Sequence, residues 1–478
     1  MKEYKNPLVE RYSSREMLYN FSPKKKFLTW RKLWLALAES QKKLGLNISE
    51  EQINDLKNHL DDIDWNRVSF YEKKFRHDVM AHLYAFGEKA ILAKPIIHLG
   101  ATSAFLGDNT DLILIRDGLE ILLKKLVNVL FRLRNFTLEY HDTPTLAFTH
   151  YQPAQLTTVG KRSSLWMQSL LLDVEELEFR LQSLNFRGVK GTVGTAASFK
   201  ELFDGDLQKV KDLEKEISNK FGFEKVFPVT GQTYDRKIDA QVLNLLSNIS
   251  QSSHKFSNDL RLLQNLKEME EPFEKEQVGS SAMAYKQNPV RSERIASLAK
   301  YVISLSNSSA MVAATQWLER TLDDSANRRL VIAQSFLATD AILKIWNNIL
   351  ENIVVYPKMI EKHIDQELPF LMTESIIVES VKNGADRQEI HERIRIHSMN
   401  TNSKIKLEGK KNDFLQRLLD DKKIPVNEEK INQMLNPKNF IGFSSDQSIE
   451  FVEKKVNPLL DRFYHFIDSN MDLMDLKV

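Results

Sequence analysis

Between residues 108 and 136 the apolar residues Leu112, Ile115, Leu119, Leu122, Leu126, Val129 and Leu130 recur at steps of three and four, with polar and charged residues between them. That spacing is the period of one helix face. The cluster Asp108-Asn109-Thr110 supplies the expected N-cap. A second stripe follows Pro153 with Leu156, Val159, Trp166, Leu170, Val174, Leu177 and Leu181; a third spans Asp235 to about Glu271, and a fourth starts at Pro289. These segments run roughly 20 to 40 residues, well beyond the average helix. Long helices with one apolar stripe each bury it most simply in a bundle.

The two ends read differently. Residues 1 to about 100 hold shorter helical patterns broken by Gly45, Asn47, Gly87 and Pro95. After Val354-Val355-Tyr356-Pro357 the pattern shortens again, punctuated by NGAD at 383–386, EGKKND at 408–413 and Pro425. Boundaries are therefore expected near 102 and 356, giving an N-terminal helical domain (1–102), a central long-helix domain (103–355) and a C-terminal helical domain (356–478). No period of 20 to 50 residues repeats, which disfavours a solenoid.

Composition sharpens this picture. With 16 glycines and 13 prolines in 478 residues, tight turns are few and a sheet-rich fold is disfavoured. The absence of cysteine removes disulfides, thiolate metal sites and cysteine nucleophiles, and is compatible with a reducing compartment. The start, MKEYKNPLVERYSS, lacks an apolar signal core, and no stretch approaches the roughly 18 apolar residues of a membrane span, so a cytoplasmic protein is expected. A net charge of +2 does not suggest a nucleic-acid binder, so anion recognition has to come from local clusters. One such cluster, Lys24-Lys25-Lys26, reads as a solvated helix start.

Against this background the stretch GSSAMAYKQNP (279–289) stands out as small and mobile. Asn288 is a good N-cap and Pro289 suits the first helical position, so the loop delivers into a helix N-terminus. Free N–H groups there, with Lys286, Arg291 and Arg294, suit an anion; a plain capped surface loop is the competing reading. The loop is not a nucleophile elbow, which needs G-x-S-x-G after a strand.

Four further stretches carry candidate chemistry. Thr149-His150-Tyr151-Gln152-Pro153-Ala154-Gln155 places a histidine at the start of the second long helix, as acid or base or as a packing residue. In Arg76-His77-Asp78-Val79-Met80-Ala81-His82 the two histidines are five apart, a spacing that argues against a metal site on one helix face. Ile97-His98-Leu99-Gly100-Ala101-Thr102-Ser103 reads as a turn with donors suited to a carboxylate. Glu319 to Arg329 is read as helical, with Arg320 and Arg328 eight apart and Ser325 and Arg329 four apart, offering a phosphate one face or forming a solvated ion-pair face. Both G-x-G-x-x-G and Walker A are absent, and the glycine-dense 187–195 reads as a connection that lets backbone approach a ligand.

Taken in chain order with NPLVERYSS, TGQTYDRK and LKEMEEPFEKEQ, these stretches resemble the fumarase/aspartase superfamily and, within it, the adenylosuccinate lyase family in its longer, animal-type form. The serine loop matches the superfamily pattern G-S-S-x-M-P-x-K-x-N-P, and the similarity runs to beyond residue 400. The resemblance implies an all-α, three-domain subunit whose central long-helix bundle forms a twenty-helix core in a homotetramer, with active sites assembled from three subunits. It implies a carbon–nitrogen lyase of purine biosynthesis. Fumarate would leave by β-elimination from adenylosuccinate, giving AMP, and from succinyl-aminoimidazole carboxamide ribotide. The implied partners are these small succinylated purine nucleotides, with no metal, organic cofactor, nucleic acid or membrane.

The same resemblance assigns roles. Ser280 matches the base that takes the Cβ proton and His150 the acid that protonates the departing nitrogen. Lys286, Asn288, Thr102, Ser103 and Gln232 match carboxylate contacts. Arg11, Tyr12, Arg320, Ser325 and Arg329 match phosphate and nucleotide contacts, while Arg76, His77, Asp78 and Arg294 line the nucleotide and orient the site. Two positions depart from the pattern: Ala284 replaces the usual proline, and Gln287 a residue that is commonly basic. Losing the proline costs the loop a few tenths to about 1 kcal/mol of preorganisation. The rival readings are another fumarate-releasing lyase, such as argininosuccinate lyase, and a non-catalytic helical scaffold.

Overall fold

The computed structural model describes residues 3–468, so the last ten residues of the expected C-terminal domain lie outside the described ones. Helices α1 (Pro23–Lys43), α2 (Trp65–Phe75) and α3 (Asp78–Lys89) lead into a series of long helices. These are α4 (Ser103–Glu139), α5 (Val159–Ser183), α6 (Lys237–Asn265), α7 (Val290–Ala314) and α8 (Asp324–Glu351). Beyond them come α9 (Pro357–Leu371), a 22-residue helix Arg387–Glu408 and several shorter helices, so the fold is all-α as expected. Strand is confined, among the described residues, to the hairpin β1 (Pro144–Thr149) and β2 (Gln152–Thr158) and to the short pair β3 (Met269–Glu270) and β4 (Val354–Val355), both antiparallel.

The expected stripe on α4 is buried throughout: Leu112, Ile115, Leu119, Leu122, Leu126, Val129 and Leu130 are all at 0% exposure. Each such leucine contributes about 1.5 to 3 kcal/mol by leaving water. Phe256 of α6 ties three helices together, stacking on Trp346 of α8 at 4.6 Å and meeting Trp166 of α5 edge-on at 5.1 Å. The apolar core runs without interruption from Leu8 to Leu460. Breaks at 383–386 and 408–413 fall where expected, between helices ending at Lys382 and Glu408 and those starting at Arg387 and Phe414.

Several expectations need correcting. Helix α4 starts at Ser103 with Thr102 as its N-cap, and Asp108, Asn109 and Thr110 are buried inside it. Asn109 Oδ1 accepts from the N–H groups of Arg187 and Gly188, and Asp108 pairs with Arg236, so these polar residues bond a neighbouring segment instead of capping. Pro153 and Leu156 lie in β2; α5 begins at Val159, capped by Thr158. Gly160 permits this junction, because a β-carbon there would come within 2.6 Å of His141 Cα. The third run ends at Asn265, before Glu271, and Gly87 sits inside α3. The region 315–323 separates α7 from α8, so Arg320 precedes the helix that carries Arg328. Among the described residues no helix is long and apolar enough to cross a membrane.

Candidate active site

A cavity of about 720 Å³ opens where α1, the α2–α3 junction, the start of α4, residues 232–236 and the start of α8 converge. Eight expected site residues line it: Arg76, His77, Asp78, Ser103, Gln232, Arg320, Ser325 and Arg329. The α2–α3 junction consists of Arg76, in the left-handed region at φ 55°, and His77, which caps α3. His77 Nδ1 accepts from Met80 N–H at 3.4 Å, so in the neutral ring the proton sits on Nε2. Asp78 Oδ2 accepts from Arg329 Nη2 at 2.9 Å. Among the described residues Arg76 has no carboxylate within ion-pair distance, which leaves it available to an anion.

The wall at Ser103 is set by the turn before it. Trp34 Nε1 donates to His98 Nδ1 at 3.0 Å, and burial pushes the His98 imidazole down to about 4, keeping it a neutral acceptor. Thr102 Oγ1 is buried without a partner among the described residues. On the opposite side, Gln232 N–H donates to Glu319 O at 3.0 Å and its Oε1 accepts from Val193 N–H at 3.4 Å. The glycine-dense segment therefore approaches its own chain: Gly188, Gly191 and Gly194 all have positive φ, and a β-carbon on Gly194 would strike the backbone at Thr230 and Gly231.

Along the cavity wall lies a buried charged network whose pairings the sequence did not reveal; Arg328, expected on a phosphate-binding or solvated ion-pair face, is buried within it. Arg236 donates to Asp324 Oδ2 at 2.6 Å and to Asp108 Oδ1 at 3.2 Å. Arg328 donates to Asp239 Oδ2 at 2.6 Å and pairs with Asp111 at 2.9 Å. Tyr234 OH donates to Asp239 Oδ1 at 2.6 Å while accepting from Arg328 Nη2 at 2.5 Å, and burial pushes this phenol well above its usual value. Such pairs fix geometry more than they stabilise, because desolvation offsets much of the attraction. The only sequence signal was charge on the buried side of apolar stripes. Lys26 also lines the cavity, close to Phe27 and Trp30, whereas its cluster was expected to be solvated. His82 is a core residue, stacked on Phe27 at 3.8 Å, and burial pushes it down to about 4. Among the described residues no cluster of three or more metal-ligating side chains is present.

The remaining site residues form three groups that do not line the cavity. Arg11 and Tyr12 end the turn Leu8–Tyr12, which is anchored by Ser13 Oγ to Leu337 O at 3.0 Å and Ser14 N–H to Asp340 Oδ2 at 2.6 Å. The Arg294 guanidinium sits 5.3 Å from the Tyr12 ring, joining α7 to this arm. Ser280, Lys286 and Asn288 lie in the loop before α7. There Ser280 Oγ accepts from Ala282 N–H at 3.4 Å and Met283 N–H at 3.1 Å, and Asn288 Nδ2 donates to Gly279 O at 2.6 Å. Asn288 thus closes the loop instead of capping α7, whose cap is Pro289. Arg291, expected to face a ligand, is buried and pairs with Glu274.

His150 occupies the tip of the β1–β2 hairpin. His150 and Tyr151, at φ 52° and 58°, form a two-residue turn with both centres left-handed, and residues 149–155 are exposed. A bulge between Ala147 and Phe148 twists the ribbon below the tip. Among the described residues no hydrogen bond or ion pair links His150 to the serine loop or to the cavity.

Comparison with known proteins places this geometry. The chain matches a family model described as lyase over residues 17–304 and one described as adenylosuccinate lyase C-terminus over residues 369–451. It is 49% identical over 469 residues to adenylosuccinate lyase of Saccharomyces cerevisiae, covering 98% of this chain and 97% of the relative. It is 47% identical over 473 residues to that of Schistosoma mansoni, covering 98% of each. Among solved structures, a fumarate lyase from Mesorhizobium sp. BNC1 superposes with a TM-score of 0.79 at 20% identity, covering 95% of this chain and 100% of that one. The 3-carboxy-cis,cis-muconate lactonizing enzyme from Pseudomonas putida gives 0.81 at 18% identity, covering 96% and 100%; both likenesses concern the fold alone.

Proposed function

Because the chain belongs to the adenylosuccinate lyase family, we propose that it eliminates fumarate from adenylosuccinate, leaving AMP, and from succinyl-aminoimidazole carboxamide ribotide. Ser280 Oγ takes the Cβ proton. The electron pair passes into the adjoining carboxylate and then into the Cα–Cβ bond as the Cα–N bond breaks, while His150 hands a proton to the departing nitrogen. Charge gathers on a carboxylate during this sequence, so cations and donors held in place where it develops do most of the catalytic work. Lys286 and Asn288 fill that role on the loop, with Thr102, Ser103 and Gln232 on the cavity side. Arg76 and Arg320, with Arg329 and Ser325, receive the phosphate and nucleotide.

The observation that carries this reading is the environment of the Ser280 oxygen. It accepts two backbone N–H groups, and among the described residues no histidine or carboxylate is bonded to it. A hydroxyl acting as nucleophile needs an adjacent base, whereas one acting as an oxyanion base needs donors. The exposed tip carrying His150 and the exposed Lys286 support a second part of the proposal: a homotetramer in which each site takes cavity, loop and hairpin from three subunits. The divisions near 102 and 356 belong to the same reading and coincide with the Thr102 cap of α4 and with Tyr356, which precedes Pro357 of α9. A cysteine-free chain suits the cytoplasm, where we place it.

Steady-state assays with both succinylated nucleotides and with argininosuccinate test the reaction and its substrate together. Turnover of the purine substrates is expected, falling by about 10²- to 10⁴-fold in Ser280→Ala and in His150→Ala. Activity that survives Ser280→Ala removes the serine from its role. Mixing the two inactive variants after dissociation is expected to restore part of the activity, because some reassembled sites carry neither lesion; no recovery defeats the shared-site reading.

A further inference from the structure

Helix α7 carries no side-chain cap of its own at Pro289. Its first free donors are taken from far upstream: Arg291 N–H donates to Glu271 Oε1 at 2.9 Å, and Ser292 N–H and Oγ donate to Glu271 Oε2 at 2.8 and 2.9 Å. Glu271 is 4% exposed and lies 20 residues before Arg291, at the other end of the segment that contains Ser280 and Lys286. Arg291 reinforces the join, donating to Pro272 O at 2.9 Å and to Glu274 Oε1 at 2.5 Å. The anion expected at this helix N-terminus is thus a residue of the chain itself.

We infer that Glu271 is a positioning residue for the elimination: its carboxylate clasps the base of the 272–290 segment onto α7 and so sets where Ser280 and Lys286 stand. This rests on the role proposed for Ser280. A helix that needs only a cap is served by a neutral Asn or Ser next to it. Here a carboxylate is buried instead, and burial pushes it above its ordinary value against the three donors that favour its charge. What the distant acid adds is closure, because one side chain joins two ends of a segment that small residues leave free to wander. A second closure nests inside the first, where Asn288 holds Gly279. With both in place, the Ser280 hydroxyl and the Lys286 ammonium ride on a segment whose ends cannot drift from the helix.

The test is steady-state kinetics on the purified full-length oligomer of Glu271→Ala, Glu271→Gln and Ser280→Ala, with thermal melting alongside. For Glu271→Ala, kcat is expected to fall about 10- to 100-fold with KM within about threefold. Glu271→Gln, which still accepts one N–H, is expected to lose less. Added sodium acetate or formate is expected to restore part of kcat in Glu271→Ala by seating a carboxylate on the vacated N–H groups, while sodium chloride at equal ionic strength does not. The inference is overturned if kcat of Glu271→Ala stays within about twofold of the parent. A loss that tracks reduced melting temperature and ignores added carboxylate also overturns it. Retained activity in Ser280→Ala overturns the serine's role instead, so the two failures are distinguishable.

Discussion

Gly279 and Lys286 meet at the neck of the serine loop, so closely that a β-carbon on Gly279 would intrude on the Lys286 carbonyl and lie 3.1 Å from Gln287 Cα. Backbone cannot yield as a flexible side chain can, so any larger residue at 279 must open the neck and break the bond from Asn288. Gly279→Ala is therefore expected to lower kcat by about 10²-fold through misplacement of Ser280, the proposed base. The loop is exposed and adds little to the core, so the melting temperature is expected to hold within a few degrees. Kinetics and melting on the same preparation check both halves. Wild-type kcat in Gly279→Ala rejects the neck as a determinant.

The network along the cavity wall yields a prediction that separates attraction from desolvation. Arg236 is buried between Asp108 and Asp324, both of which face the cavity. Arg236→Met leaves Asp108 without its cation and Asp324 with Arg320 alone, and breaking one side of a buried pair costs about 3 to 5 kcal/mol. The freed charges also repel an anionic ligand, so KM is expected to rise. Arg236→Lys should recover little, because one ammonium cannot reproduce a planar group bonded to two acids. Urea unfolding and KM for adenylosuccinate read the two effects, and unchanged stability in Arg236→Met contradicts the account.

Acid sensitivity follows from three buried groups, with the signs set by their shifts. His82 and His98 are pushed by burial from 6.5 to about 4, so between those values the unfolded chain binds protons that the folded chain refuses. Their stabilisation is complete above pH 6.5 and is lost as pH falls toward 4, on the order of 3 kcal/mol for each. Asp173 works the other way: burial raises it from 3.8 to about 7, so the folded form takes up a proton first and gains stability over the same span. The two losses outweigh this gain even with the smaller upward push on Glu271 added, and the melting temperature is expected to drop from pH 6.5 to 4.5. Asp173→Asn should steepen that drop and His98→Gln should flatten it. Melting curves across pH that show the reverse order exclude this assignment.

What the sequence revealed and concealed divides along physical lines. The Leu112–Leu130 stripe was legible because burial on one helix face imposes its period on the chain, and the glycine and asparagine breaks at 383–386 and 408–413 were legible for the same local reason. The start of α4 was misplaced because Asp108 and Asn109 look like caps, while their partners, Arg236 and Arg187, are supplied by residues far along the chain. In the sequence the hairpin reads as a helix start because its turn uses His-Tyr where Asn-Gly is the usual signal, and Pro153 suggests a first helical residue. The helix N-terminus at 290 looked vacant because the carboxylate that fills it is remote in sequence. Motif resemblance suggested candidate site residues, yet no local signal states that five separate segments wall one cavity.

The hairpin tip supplies a last prediction, because its geometry opposes its composition. Two non-glycine residues in the left-handed region, His150 and Tyr151, cost about 1 to 2 kcal/mol each, and such strain is kept where it serves function. Tyr151→Gly relieves one share of that cost. It also gives up about 0.5 to 1 kcal/mol to the greater freedom of glycine in the unfolded chain. A similar amount goes with the loss of the ring contact to Phe148, whose centroid is 5.8 Å away. The terms nearly cancel, so stability is expected to stay within about 1 kcal/mol of the parent. Activity has no such compensation. A glycine beside His150 lets the tip sample many directions, and in the acid role proposed for it His150 then loses its aim at the departing nitrogen, so kcat is expected to fall about tenfold or more with KM little changed. Thermal melting and steady-state kinetics measure the two quantities independently; a variant with full kcat means that the strained turn is not what aims the histidine.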